Sequence, residues 1–146
     1  MDDRAVEALR TLMLAGDAYR HAVAAYHRLG VTETLAISYL TQDGDLGQSE
    51  LAARLNLTTG AVTALVDRLE RADVARRRSH ATDRRRSVIT LTDKGRKVVE
   101  ESRRWLLATF DDVRDGDLDK TVNSLETVAR RLRQQAETVA GMPGSR

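Results

Sequence analysis

The chain changes its hydrophobic period at Val74, and that switch limits the folds open to it. Upstream, Gln48 to Leu55 carries Leu51, Ala52 and Leu55 at helical spacing. A second stretch, capped by Thr58 or Thr59 and running to about Ala72, carries Val62, Leu65, Val66 and Leu69 as one apolar stripe. Asn56-Leu57 lies between them, and asparagine tolerates the left-handed backbone that a tight helix-helix turn uses. Downstream the spacing becomes that of strands. Val74 to Ser79 is one candidate, and the β-branched run Ser87 to Leu91 is a better one. Two short helices followed by a hairpin are the order of a winged helix-turn-helix.

The flanks read as helix. Asp3 to Leu29 carries Val6, Leu9, Met13, Val23 and Tyr26 and stops at Gly30; Thr32 is the expected cap of a second helix with Leu35, Ile37, Tyr39 and Leu40. Thr92 caps a later helix with Val98, Val99, Trp105, Leu106 and Phe110. After an acidic break at Asp111 to Asp117, Leu118, Val122, Leu125, Val128, Leu132 and Val139 mark a last helix ending at Gly141, with a frayed tail beyond. The fold class expected is mostly α with a small β-hairpin, about six helices in all. At 146 residues, a single domain is expected. Its dimerisation lobe covers about 1–30 and 112–146, its winged-helix lobe about 31–92, and a linking helix about 92–112.

Charge singles out the middle. Gly47 to Arg96 holds eleven Lys/Arg against six Asp/Glu, a net of +5, and the remainder is −3. Such a distribution suits a local polyanion surface, although scattered solvated arginines give the same count. Six of the arginines fall between Arg76 and Arg86, at and beside the tip of the expected hairpin. An arginine-tipped wing suits the minor groove, where a narrow width deepens the negative potential. Arginine stays charged there and is easier to desolvate than lysine. On the second helix, Thr58, Thr59, Gly60, Thr63 and Ala64 form a small, polar outer face that lets backbone approach the duplex, with hydroxyls and a helix N-terminus for phosphate. Arg68, Arg84, Arg85 and Arg86 complete the DNA-contact set; Asp67 and Asp83 are expected to support the wing.

Other chemistries are poorly served. There are no cysteines, which removes disulfides and thiol sensing and suits a cytoplasmic protein. Three histidines without cysteine make no compelling metal set, and no cofactor is expected. No glycine-rich phosphate loop or nucleophile–base set suggests an enzyme. No apolar run of membrane length exists, and Met1-Asp2-Asp3 does not open a secretory signal. Aromatics at 3% argue against a stacking platform for single strands.

Taken in order, Ser49-Glu50-Leu51-Ala52-Ala53-Arg54-Leu55, Thr59-Gly60-Ala61-Val62-Thr63, Val66-Asp67-Arg68-Leu69-Glu70, Asp83-Arg84-Arg85-Arg86 and Leu91-Thr92-Asp93-Lys94-Gly95 resemble the MarR family of regulators. The match covers about half the chain. The resemblance implies a homodimer whose dimer lobe uses the first and last helices. It implies a pseudo-palindromic operator in double-stranded DNA, a repressor's role, and a small phenolic or anionic lipophilic effector. Thr58 to Ala72 matches the reading helix and Arg76 to Leu91 the wing. Arg85, or Arg84 beside it, is the residue expected in the minor groove, and Asp67 is expected to pair with Arg85. Tyr19, His21, Tyr26, His27 and Trp105 are the candidates for lining an effector cleft. Two departures stand out. Ala64 occupies a position that is often a longer polar or basic residue, so direct base readout is thinner. Asp73 replaces the glycine that usually follows the reading helix. An architectural or protein-interaction winged helix with little sequence preference is the competing expectation.

Overall fold

The computed structural model describes residues 3–144. The expectations that concern Met1, Asp2, Ser145 and Arg146, including the end of the frayed tail, lie outside the described residues. The elements run α1 (Asp3–His27), α2 (Val31–Asp43), β1 (Leu46–Gly47), α3 (Gln48–Leu55), α4 (Thr59–Arg71), β2 (Ala75–Ser79), β3 (Ser87–Leu91), α5 (Asp93–Ala108), a single 3-10 turn (Asp115–Asp117) and α6 (Leu118–Ala140). They divide into two compact units that meet between Arg104 and Trp105, within α5.

In the first unit, α2, α3 and α4 surround one core. Ile37, Leu40, Leu51, Val62, Leu65, Val66 and Leu69 are buried there together with Val74 and Ile89. The α4 stripe read from spacing is therefore the face that packs inward. Truncating one of its leucines to alanine costs about 2–5 kcal/mol by analogy with other cores.

The sheet holds one strand more than the hairpin. Leu46-Gly47 pairs antiparallel with Ile89 and Val88, so the order is β1-β3-β2. Two residues carry no readable period, which is why β1 is absent from the sequence reading. β3, in the middle, buries Val88, Ile89 and Thr90 in succession instead of alternating.

The start of α2 also differs from expectation. Thr32 lies inside the helix, and Gly30, expected as a stop, is the N-cap. The Glu33 carboxylate reaches back 2.8 Å to accept from the Gly30 amide. That bond satisfies an amide that the first turn leaves without a helical partner. α1 closes earlier, with Arg28 in the left-handed region at φ 55°.

The second unit is carried by α6. Leu118, Val122, Leu125, Val128 and Leu132 lie along it and are all more than a third exposed. No helix among the described residues is long and apolar enough to cross a membrane.

Candidate nucleic-acid interface

The helix-turn-helix is built by local rules. Asn56 ends α3 in the left-handed region, at φ 52°, and the Leu57 amide turns back to the Ala52 carbonyl at 2.9 Å. Thr58 is the N-cap of α4; its hydroxyl accepts from the Ala61 amide at 3.2 Å. With the apolar stripe facing inward, Thr59, Gly60, Ala61 and Ala64 are exposed on the first two turns. Space around Gly60 is open: a Cβ there would meet nothing within 4 Å.

Thr63 is half-buried and its hydroxyl is occupied. It donates to the Thr59 carbonyl at 2.9 Å and accepts from the Gln48 side-chain amide at 2.6 Å. Gln48, the first residue of α3, thus holds the reading helix to its neighbour. Its role is absent from the sequence reading because the bond joins residues fifteen apart.

The wing is fastened to α4 by Arg77. Its backbone amide donates to Glu70 at 2.9 Å, its Nη1 to the same carboxylate, and its Nη2 to Asp67 at 2.8 Å. The bond to Asp67, with the nearby Glu70 charge, holds the guanidinium pKa above its ordinary value. Asp67 therefore does pair with a wing arginine, but with Arg77 rather than Arg85. The reason is register. Arg77 stands opposite Ile89, well down the ladder, whereas Arg85 lies out in the loop beyond Ser79 and Ser87. Arg76 and Arg78, its neighbours on the strand, are exposed.

At the tip, Asp83 organises backbone. Its carboxylate accepts from the Arg85 amide at 3.1 Å, and its carbonyl accepts from the Arg86 amide at 3.0 Å. The His80 ring accepts from the Thr82 and Asp83 amides. Side chains of Arg84, Arg85 and Arg86 are exposed and make no ion pair among the described residues. Three guanidinium groups are thus held out on a loop whose backbone is fixed.

Arg68 does not join them. Its Nε donates to Glu33 at 2.8 Å, and Glu33 is the residue that caps Gly30. That ion pair ties Arg68 to the α2–α4 junction, with its side chain still 44% exposed.

The wing is anchored at its base as well. Thr92 donates to the Asp73 carbonyl at 2.6 Å and accepts from the Gly95 amide at 3.0 Å, so it caps α5 and grips the turn after α4 together. Asp73 adopts φ 56°, the left-handed conformation that its position demands. Gly95 packs so closely that an added Cβ would lie 2.0 Å from the Val74 carbonyl oxygen. Glycine in Leu91-Thr92-Asp93-Lys94-Gly95 is a packing requirement that spacing alone does not reveal.

Among the effector candidates, Tyr26 and His27 are in ring contact. Tyr19 bonds Ser102, 2.9 Å to its carbonyl and 2.6 Å to its hydroxyl. His21 turns to the Asp17 carbonyl of its own helix. Tyr26 is largely exposed and meets the His27 ring edge-on, with centroids 4.9 Å apart. His27 lies 3.6 Å from the Glu101 carboxylate. Trp105, in the second unit, is a third exposed.

A family model described as MarR family matches residues 29–87, the stretch from the end of α1 to the start of β3. The chain is 33% identical over 101 residues to an uncharacterized HTH-type transcriptional regulator, YcgE, of Bacillus subtilis, covering 69% of this chain and 66% of that protein. It is 36% identical over 74 residues to the HTH-type transcriptional repressor MdtR of the same organism, covering 49% and 48% respectively. The chain thus spans about half to two thirds of these relatives' length. Among solved structures, it is similar to a MarR transcriptional regulator from Methanosarcina mazei Go1, with a TM-score of 0.67 at 20% identity, covering 91% of this chain and 99% of that one. It is also similar to a MepR mutant from S. aureus, with a TM-score of 0.70 at 21% identity, covering 88% and 96%. At these identities the structures speak for the fold.

Proposed function

Because the chain belongs to the MarR family of transcriptional regulators, we propose that it is a sequence-specific, double-stranded DNA-binding repressor, with α4 in the major groove and the arginine wing in the minor groove. The observation that carries the reading is the clamp from Arg77 to Asp67 and Glu70. It fixes the arginine tip relative to the reading helix, so one rigid body offers both contacts. Thr58, Thr59, Gly60 and Ala64 face the bases and phosphates; Arg84, Arg85 and Arg86 supply charge at the wing.

The protein acts as a homodimer on a pseudo-palindromic operator. α6 exposes Leu118, Val122, Leu125, Val128 and Leu132, and α1 exposes Val6, Leu12, Met13 and Leu14. Apolar stripes of this extent are unfavourable in water and suit burial against a second copy. On this reading the dimer lobe is built from 1–30 and 112–146, the protein is cytoplasmic, and a small lipophilic anion modulates binding.

A second reading has one observation in its favour. The exposed start of α4 bears no long side chain for base edges, which suits an architectural protein with little sequence choice. The experiment that separates the two is a titration of the full chain with operator and random duplex across salt concentrations. A regulator prefers its operator by about a thousandfold or more, with a steep salt slope. Equal affinity for both duplexes overturns the regulator reading.

A further inference from the structure

Resting on the reading of α4 as the major-groove helix, we propose that this protein recognises its half-site chiefly through the C5 methyl groups of thymine. The exposed residues of α4 are Thr59, Gly60, Ala61, Ala64, Asp67, Arg68 and Arg71. Asp67 is held by Arg77, Arg68 is tied through its Nε to Glu33, and Arg71 stands on the last turn of α4 with its Nε 3.4 Å from the Asp67 carbonyl, so none of the three lies free on the first two turns.

Discrimination by hydrogen bonding in the major groove relies on forked donors and acceptors: arginine or lysine on guanine, asparagine or glutamine on adenine, carboxylate on cytosine. The first two turns of α4 present none of these. Ala61 and Ala64 offer only methyl groups. The Thr63 hydroxyl has spent its single proton on the Thr59 carbonyl and receives the Gln48 amide. It has no donor left for a base, and its methyl is what remains for an apolar contact. Gly60 adds no bulk, and a Cβ there would stand in open space, so the helix can approach closely. Thr58 and Thr59 bring single hydroxyls at the helix start, where phosphate lies, and beyond them a close surface of methyl groups matches one feature of the major groove, the thymine methyl. Gln48 is in this sense a positioning residue, since it keeps the Thr63 hydroxyl turned into the protein.

The test uses the full chain and a duplex selected by it from a random library. Thymines of the half-site are replaced by deoxyuridine, which keeps every hydrogen-bonding group and removes only the methyl. The expected result is a loss of about fourfold in affinity for each contacted methyl, the value of one buried carbon, and no loss for replacements in the flanks. Thr63→Ser keeps the hydroxyl and removes the methyl, so it weakens the thymine duplex and erases the difference at one position. Thr63→Val keeps the methyl and preserves that difference. A selected duplex bound equally well with uridine overturns the thymine proposal and leaves the regulator reading standing. Equal losses in half-site and flank also overturn it, because they report duplex shape. Failure to select any preferred duplex overturns both.

Discussion

The Asp67 carboxylate on α4 and the Arg77 guanidinium on β2 meet at 2.8 Å, joining the reading helix to the first strand of the wing. Glu70, one helical turn on, accepts from the same guanidinium and from the Arg77 backbone amide. A single guanidinium therefore engages two carboxylates, and Glu70 also takes up the Arg77 backbone amide on the edge strand β2. An isolated surface pair is worth about 0.2–1 kcal/mol, but a shared one fixes geometry as well. Arg77→Ala is expected to lower stability by about 1 kcal/mol and operator affinity by tenfold or more. The second effect exceeds the first because the wing loses its orientation. Denaturant unfolding and fluorescence anisotropy measure the two separately; equal operator binding by the variant would sink the clamp's role.

Arg85 occupies a different position from Arg77 and should fail differently. Its side chain is exposed at the tip while Asp83 holds its amide at 3.1 Å. Arg85→Ala is expected to leave the unfolding curve unchanged, weaken operator binding, and reduce the salt slope by about one. Asp83→Ala removes the carboxylate that fixes the loop, so it should weaken binding with the slope intact. A slope unchanged in Arg85→Ala would mean that its guanidinium does not contact phosphate or the groove.

Gly60 separates a demand of the fold from a demand of the DNA. The chain itself has room for a Cβ there, and alanine is favoured over glycine in a helix interior by about 0.8–1 kcal/mol. Gly60→Ala is expected to hold or raise the melting temperature and still weaken operator binding, because the added methyl stands between backbone and duplex. Unchanged binding would show that α4 does not approach the groove at this turn.

Gly95 makes the opposite case. A Cβ at Gly95 would lie 2.0 Å from the Val74 carbonyl oxygen, where only backbone movement relieves the contact. Gly95→Ala is expected to destabilise the chain by at least about 1–3 kcal/mol, the cost of forcing bulk into a packed site. Asp73→Gly, at a left-handed turn nearby, is expected to stabilise it by up to about 1 kcal/mol. Thermal unfolding of the pair gives both signs; a stable Gly95→Ala would mean that α5 can shift away from the Val74 turn.

What was readable in the sequence follows from the range of each interaction. The α4 stripe, the Asn56 turn and the β3 run are local, and spacing reveals them. Register is not local: the family resemblance offers Asp67 the tip residue Arg85, whereas the β2–β3 ladder brings it Arg77. Arg68 read as one more free charge because its partner, Glu33, lies thirty-five residues away. Gly30 and Thr32 illustrate a nearer failure: a threonine usually outranks glycine as a cap, but here Glu33 supplies the carboxylate and the cap needs only an amide. β1 is two residues long, too short for any period to mark.

α6 carries an apolar stripe with no cover within the described residues. Leu125 and Leu132 are both more than a third exposed on a helix whose apolar residues recur at steps of three and four. If a second copy covers that stripe, a charge at its centre must be desolvated on assembly, and burying an unpaired charge is far more costly than burying a leucine is favourable. Leu125→Lys combined with Leu132→Lys is expected to halve the mass seen by sedimentation while circular dichroism retains the helical signal. A monomer holds one reading helix and one wing, so it engages one half-site and loses the second as an intramolecular contact. Operator affinity should fall by a hundredfold or more, whereas affinity for an isolated half-site should stay the same. A double variant that remains dimeric would move the interface from α6 to the exposed residues of α1.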